Sequence, residues 1–169
     1  RSVAAVSAVS DNAGAYAMPV AGSTNSWPAA VPSADLARFV GSTVSQFSVE
    51  APTAHGFCLY LRRDAVDAVG KFDEVNFPRG YGEENDWSMR AVAAGLDVLM
   101  APRVFVRHAQ GASFGSSTRD ALISQARAIV NALHPSYTTL VREWMSSSPL
   151  ADLRQEFTRV LDAAATAAP

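Results

Sequence analysis

The sequence predicts an α/β domain followed by a helical C-terminal extension. Short runs rich in β-branched residues alternate with helical stretches as far as about residue 115, and this alternation is typical of layered α/β domains. Beyond that point the apolar positions recur only at helical spacing. We therefore expect residues 1–115 to form the α/β part and residues 116–169 a helical extension.

Composition limits the function classes. The 169 residues, 49% of them hydrophobic, suffice for one core. A formal net charge of -2 without a basic run gives no electrostatic footprint for nucleic acid. No stretch approaches the ~20 apolar residues of a membrane span. The single Cys58, within an apolar run, is expected to be a buried inert thiol, which fits a reducing, cytoplasmic location.

The first third of the chain predicts a strand, a loop and a helix. A β-branched run predicts a strand over Val3–Val9, ended by a turn at 11–14. Residues 15–32 are rich in Pro, Gly and Ser and predict a long loop, which is either a lid over a site or a plain connector. Ser33 is expected to cap a helix. Its apolar stripe is Leu36, Phe39, Val40, Val44 and Phe47.

The middle of the chain predicts three strands and a short helix. An apolar strand ends at Leu61, and residues 63–69 form a helix closed by Gly70. Two further strand-like runs, 97–101 and 104–108, are separated by Pro102, which cannot donate a ladder hydrogen bond. In the second run alternate side chains share a face. Val104, Val106 and His108 are therefore expected to point the same way, with His108 emerging at the rim of the sheet.

Three amphipathic segments follow. The first begins at Ser117 or Thr118 and stops at Pro135, and the second carries Trp144. Pro149 suits the first position of the third helix. The apolar stripe of that helix is Leu150, Leu153, Phe157, Val160 and Leu161. The stripes could pack on the domain or on another subunit, and their spacing does not distinguish the two.

One stretch, residues 80–90, concentrates polar groups where a glycine loop meets a helix that is expected to run to about Ala94. Three carboxylates and an amide crowd into residues 83–86. Acidic residues in a first helical turn are common, and Asp86 and Arg90 have the spacing of a surface ion pair. The rest of the helix, however, is apolar nearly all round, which is typical of a buried helix. We therefore expect the acidic end to open into a cleft.

Four motifs in order resemble the second half of the catalytic domain of family 2-type glycosyltransferases of the GT-A fold. They are AHGFCLYLRR at 54–63, VGKFDE at 69–74, GEENDWSMR at 82–90, and VRH at 106–108 followed by Gly111 and Ser113. The resemblance covers about residues 3–115. It implies a GT-A-like mixed sheet with flanking helices and an incomplete nucleotide-binding half.

The resemblance implies transfer of a sugar from a nucleotide-sugar donor to an acceptor hydroxyl, metal-assisted and inverting. Glu84 falls on the position of the general base, where the family has aspartate. The other residues that the resemblance places in the site are Glu83 and Asp86 as catalytic groups, Gly56 and Arg90 as donor contacts, and His108 as a ligand to Mn²⁺ or Mg²⁺.

An Asp-x-Asp after an apolar strand, and the β-α-β unit that precedes it in the family, are both missing from the sequence. The chain is therefore expected to be a half domain, inactive by itself, whose N-terminal half lies on the same or another chain. The alternative is a non-catalytic module that binds a glycan or a protein partner. The coding sequence upstream of Arg1 distinguishes the two.

Overall fold

A four-stranded mixed sheet lies at the centre of the fold in a computed structural model that describes residues 2–26, 31–44, 46–109 and 116–167. The strands are β1 (Val3–Val9), β2 (Val49–Glu50), β3 (Leu59–Leu61) and β4 (Asp97–Phe105), in the spatial order β2-β4-β1-β3. β1 is parallel to β4 and antiparallel to β3, and β2 is antiparallel to β4. The predicted α/β class is confirmed.

The central strand β1 is buried on both faces. Its small side chains Ala4, Ala5 and Ala8 are at most 4% exposed, as expected for a strand covered on both sides. Ser7, also buried, accepts a hydrogen bond from the His55 backbone N–H at 2.9 Å. β1 thus fixes the position of the segment around His55.

The prediction of two strands divided at Pro102 is wrong, because β4 runs without interruption through this residue. The pairing with β1 shifts register there, from Ala8 opposite Ala101 to Val9 opposite Phe105. A register irregularity is where a strand tolerates a residue that has no N–H to donate. Pro102 therefore marks a local kink in one strand.

The predicted alternation of side chains toward His108 is also wrong. Val104 is 48% exposed whereas Phe105 is 5% exposed, so Phe105 enters the core instead of Val104. β4 ends at Phe105, and His108 lies in the segment that follows it. Because the register shift precedes these residues, a simple period of two cannot predict their direction.

The described residues form six α-helices: α1 (Ser33–Thr43), α2 (Arg63–Val69), α3 (Glu83–Ala93), α4 (Ser116–Leu133), α5 (Tyr137–Ser146) and α6 (Ala151–Ala167). The predicted bounds of α2 and its end at Gly70 are confirmed. α3 ends at Ala93, one residue short of the expected Ala94. None of the described helices is both long enough and apolar enough to cross a membrane.

Three helix predictions need correction. Ser33 is the first residue of α1 and Pro32 occupies the cap position, without a side-chain cap hydrogen bond. Phe47 lies beyond the end of α1, is 76% exposed, and has the guanidinium of Arg103 4.4 Å from its ring centroid. α6 begins at Ala151, so Pro149 precedes the helix. The local pattern thus started α1 one residue late, carried its apolar stripe past its end, and started α6 two residues early.

The helical extension packs on the sheet. Leu150, Leu153 and Phe157 are at most 7% exposed and share a core cluster with Val9 and Met100. The Trp144 indole N–H donates to the Glu50 carbonyl of β2 at 2.7 Å. The apolar stripe that begins at Leu150 therefore packs on the domain itself.

The predicted loop after β1 is folded over the core. A 3-10 turn at Gly14–Tyr16 opens it, and Met18 is 1% exposed. The Asn25 side chain donates to the Asp11 and Val20 carbonyls at 3.1 and 2.9 Å, which ties the loop into one unit. Residues 27–30 of the predicted loop, including Pro28, lie outside the described residues.

Candidate functional site

A cleft of about 730 Å³ lies where the β1 loop, residues 53–55, the start of α3 and the extension meet. Its polar lining comes from Asn12, Tyr16, Ser23, Thr24, Thr53, His55, Tyr81, Glu84, Asn85, His108, Arg127 and Tyr137. Its aliphatic lining from the extension comes from Ile123, Ala126, Val130, Val141 and Met145. A cleft of this size with a few convergent polar groups is typical of small-molecule sites.

Backbone donors hold Glu84 at this cleft. Gly82, with φ of 106°, turns the chain into α3, and its N–H donates to Glu84 Oε2 at 3.2 Å. The Gly56 N–H also donates to the carboxylate. A Cβ at Gly82 would lie 2.9 Å from Phe77 Cε1, so both the turn angle and the close packing require glycine.

The environment of Glu84 makes its carboxylate a stronger base. Burial raises the pKa of Glu84, and the neighbouring charge of Glu83 raises it further, against the opposing effect of the backbone donors. A carboxyl with a raised pKa holds a proton more readily at neutral pH. This is the change that proton abstraction from a hydroxyl requires.

Thr53 connects three groups around Glu84. Tyr16 donates its hydroxyl hydrogen to the Thr53 carbonyl, and the Asn85 amide donates to Thr53 Oγ1 at 2.8 Å. Tyr137 shares a side-chain hydrogen bond with Thr53, and burial, then the charge of Glu84, raises its pKa to about 12. Both phenols are therefore neutral hydroxyls at physiological pH. Sequence reasoning missed Tyr16, Thr53 and Tyr137, since no local motif marks them.

His108 lines the same cleft with a fixed ring. Its backbone N–H donates to Asp11 Oδ1 at 2.8 Å, and its ring stacks on Phe57 at 5.1 Å. Nδ1 lies 2.6 Å from the Asn12 carbonyl oxygen. Because a carbonyl only accepts, Nδ1 carries a hydrogen, and in the neutral ring Nε2 is then the nitrogen with the lone pair. This tautomer is the one that suits a metal ligand.

His55 is the second histidine of the cleft. Its ring makes an edge contact with Phe57 at 5.4 Å. Nδ1 is buried without a hydrogen-bond partner among the described residues. Burial, followed by the nearby His108, lowers the pKa of His55 to about 4. The imidazole is therefore neutral throughout the physiological range.

The neutral His55 gives a pH-dependent stability. Its pKa is lower in the folded state, at about 4, than the ordinary value of 6.5, so its contribution is complete above pH 6.5 and is lost as pH falls toward 4. Relative to His55→Gln, the wild-type protein should lose up to about 3 kcal/mol of unfolding free energy over this interval. Urea unfolding at several pH values measures the difference.

Glu84 provides the control of opposite sign. Its folded pKa is raised above 4.5, so its contribution is complete below pH 4.5 and is lost as pH rises through the folded pKa. Relative to Glu84→Gln, the wild-type protein should therefore lose stability as pH rises. Parallel profiles for the wild type and His55→Gln would contradict the assignment to His55.

The structure separates Asp86 and Arg90 from the cleft. Asp86 is 3% exposed, and its two oxygens face Arg90 Nε at 2.9 Å and His134 Nε2 at 2.8 Å. Arg90 also donates to the Val69 and Lys71 carbonyls at 2.8 and 2.9 Å. Asp86 is buried and the Arg90 side chain is 30% exposed, so this is not the fully exposed pair that the spacing allowed, and it joins α3 to α2 and to the end of α4.

The remaining predicted site residues lie behind Glu84 or outside the described residues. Gly56 backs the Glu84 carboxyl, because a Cβ there would lie 3.5 Å from Glu84 Cδ. Glu83 packs toward Gly80, and its Oε2 is buried without a hydrogen-bond partner among the described residues. Gly111 and Ser113 lie outside the described residues. Of the predicted residues, Glu84 and His108 are the two that line one cleft.

The described residues of the cleft do not form a metal site by themselves. The described residues contain no group of three or more His, Cys, Asp and Glu side chains that could hold a metal ion. The fixed tautomer of His108 fits one ligand of a site completed by other groups.

Comparisons of the chain with protein-family models, with curated proteins and with solved structures give no match. The chemistry of the cleft therefore carries the functional argument.

Proposed function

We propose that this chain is the acceptor-side half of a GT-A-type glycosyltransferase, in which Glu84 is the general base. The observation that carries the proposal is the Glu84 carboxylate, which lines the cleft with a raised pKa and two backbone N–H donors. The same residue falls on the base position of the motif at 82–90. Two independent arguments, from sequence and from environment, thus select one side chain.

In the proposed reaction the acceptor hydroxyl attacks the anomeric carbon of the donor. A sugar hydroxyl is a weak nucleophile, and Glu84 takes its proton as the new C–O bond forms and the bond to the nucleotide diphosphate breaks. The backbone donors at Gly82 and Gly56 fix the longer glutamate arm where the family has aspartate. Such general-base assistance contributes about 10²–10⁴-fold to the rate.

His108 is proposed to hold a divalent cation together with ligands from the donor-binding half. The cation, when bound, would neutralise charge on the diphosphate leaving group. What this chain contributes is an imidazole whose Nδ1–H is bonded to Asn12, leaving Nε2 free for the metal.

The metal proposal predicts that transfer by the complete enzyme needs Mn²⁺ or Mg²⁺. His108→Ala should lower the rate, and higher metal concentration should recover part of the loss, because one ligand is missing. A rate titration with metal for both proteins measures this. His134→Gln is the control, since His134 lies outside the cleft and should leave the metal dependence unchanged. Full activity in excess chelator would exclude the metal.

The upstream coding sequence tests the half-domain proposal directly. We expect it to encode an apolar strand that ends in Asp-x-Asp just before Arg1, and we expect the two halves together to transfer sugar from a nucleotide-sugar donor. A start codon near Arg1, with glycan binding but no transfer, would instead support the non-catalytic binding module.

A further inference from the structure

The cleft has two chemically different walls. The wall formed by the β1 loop, residues 53–55 and the start of α3 carries the polar groups, including Glu84 and Asn85. The wall formed by α4 and α5 carries the aliphatic side chains of Ile123, Ala126, Val130, Val141 and Met145. The same two helices also contribute Arg127 and Tyr137 to the lining, so aliphatic side chains form the larger part of this wall but not all of it.

The aliphatic wall follows from helical spacing. On α4 the lining residues Ile123, Ala126 and Val130 are separated by three and four positions. On α5 the lining residues Tyr137, Val141 and Met145 are separated by four. Residues at these spacings lie on one helix face. Each helix thus presents one row of side chains to the cleft.

The aliphatic wall begins next to the carboxylate of Glu84. Gly82, whose N–H bonds Glu84, packs so closely on α4 that a Cβ there would lie 3.2 Å from the Ala126 Cβ. On α5, the charge of Glu84 contributes to the raised pKa of Tyr137, and Val141 lies one helical turn after Tyr137. Glu84, Val141 and Met145 line the same cleft, so one ligand can place a hydroxyl at the carboxylate and an apolar part on these two side chains.

We propose that the acceptor is amphipathic: a hydroxylated head whose reacting hydroxyl lies at Glu84, joined to an alkyl chain that packs on the wall of Ile123, Val141 and Met145. This assignment of the acceptor class rests on the proposed function. The volume of about 730 Å³ accommodates a sugar-sized head with a chain. Met145, 41% exposed at the end of the stripe, offers a flexible thioether side chain to the distal part of the chain.

Calorimetric binding of methyl and hexyl glycosides of glucose, galactose and mannose to the 169-residue chain tests the proposal. For any of these sugars whose glycosides bind, the hexyl glycoside should bind at least about tenfold more tightly than the methyl glycoside, because its added methylene groups leave water. Equal affinities for the two members, or no binding by any hexyl glycoside, would overturn it.

A matched pair of double variants locates the chain. Val141→Thr with Met145→Gln keeps side-chain volume and should abolish the preference for hexyl. Leu133→Gln with Leu140→Gln changes two exposed leucines of the same helices, 44% and 37% exposed and outside the cleft lining, and should retain it. The proposal would be overturned if the Val141→Thr, Met145→Gln protein kept the preference for hexyl glycosides. It would also be overturned if only the Leu133→Gln, Leu140→Gln protein lost that preference. Thermal unfolding of all variants establishes that they are folded.

Transfer assays with the complete enzyme separate this inference from the proposed function. A tighter hexyl glycoside that receives no sugar supports the amphipathic cleft while it contradicts the glycosyltransferase proposal. Transfer at equal efficiency to methyl and hexyl acceptors supports the glycosyltransferase and overturns the amphipathic cleft.

Discussion

Glu84→Gln is expected to lower the rate of sugar transfer by the complete enzyme about 10²–10⁴-fold while donor binding survives. The amide keeps the size of the side chain but cannot take a proton. In Glu84 itself, burial raises the pKa of the carboxyl and thereby its strength as a base. The rate constant kcat and the donor Kd, measured separately, distinguish a catalytic loss from a binding loss.

Two glutamates give this experiment its controls. Glu74→Gln changes an exposed carboxylate outside the cleft and should leave the rate unchanged. Glu83→Gln removes the neighbouring charge that raises the pKa of Glu84, so the lower limb of the pH–rate profile should move to lower pH. A large loss of rate in Glu83→Gln with normal turnover in Glu84→Gln would make Glu83 the base. A loss confined to donor affinity would make Glu84 a binding residue.

Asp86→Ala is expected to destabilise the protein by about 3 kcal/mol, since removing one partner of a buried charged cluster leaves the others unpaired. Asp86 is 3% exposed and lies between Arg90 and His134, at 2.9 and 2.8 Å. Arg90 in turn donates to two carbonyls at the end of α2. The midpoint of urea unfolding, with an unchanged slope, measures the loss.

Asp67→Ala on α2 is the matched control, because it removes an exposed carboxylate and should change stability by less than about 0.5 kcal/mol. Asp86 falls on one letter of the motif that the sequence resembles, but its contacts are with Arg90 on its own helix and with His134 just after α4. An Asp86→Ala protein of normal stability whose turnover was lost would reverse this assignment and return Asp86 to the catalytic group.

The elements that were predicted well depend on local preferences. α2 ends at Val69, just before Gly70, and α3 ends at Ala93, two residues before Gly95. The φ values of these glycines, 92° and 79°, are ones that other residues rarely adopt. The burial expected for α3 is confirmed by Trp87, Ser88 and Ala91, each at most 1% exposed. β1 has the bounds that its β-branched run predicts. These features follow from backbone angles and apolar spacing within a few residues.

The tertiary structure decided what those elements contact. Pro102 is absorbed into β4 because the strand shifts its register against β1, a residue pairing that no local pattern contains. Asp86 is paired with His134, 48 residues away, and so lies behind the cleft although it is two residues from Glu84. Thr53 forms hydrogen bonds with Tyr16 and Tyr137, which come from distant segments of the chain.

The residues of the cleft likewise divide into those that local sequence predicts and those that only tertiary packing brings together. Local sequence placed Glu84 at the start of a buried helix and His108 at the end of a strand. The structure ends that strand at Phe105 but still brings both side chains to one cleft. The opposite wall comes from α4 and α5, whose apolar stripes the sequence predicts without saying what they face. Helical spacing determines which residues share a side of a helix, but only the packing of distant segments determines which side meets the core and which meets a ligand.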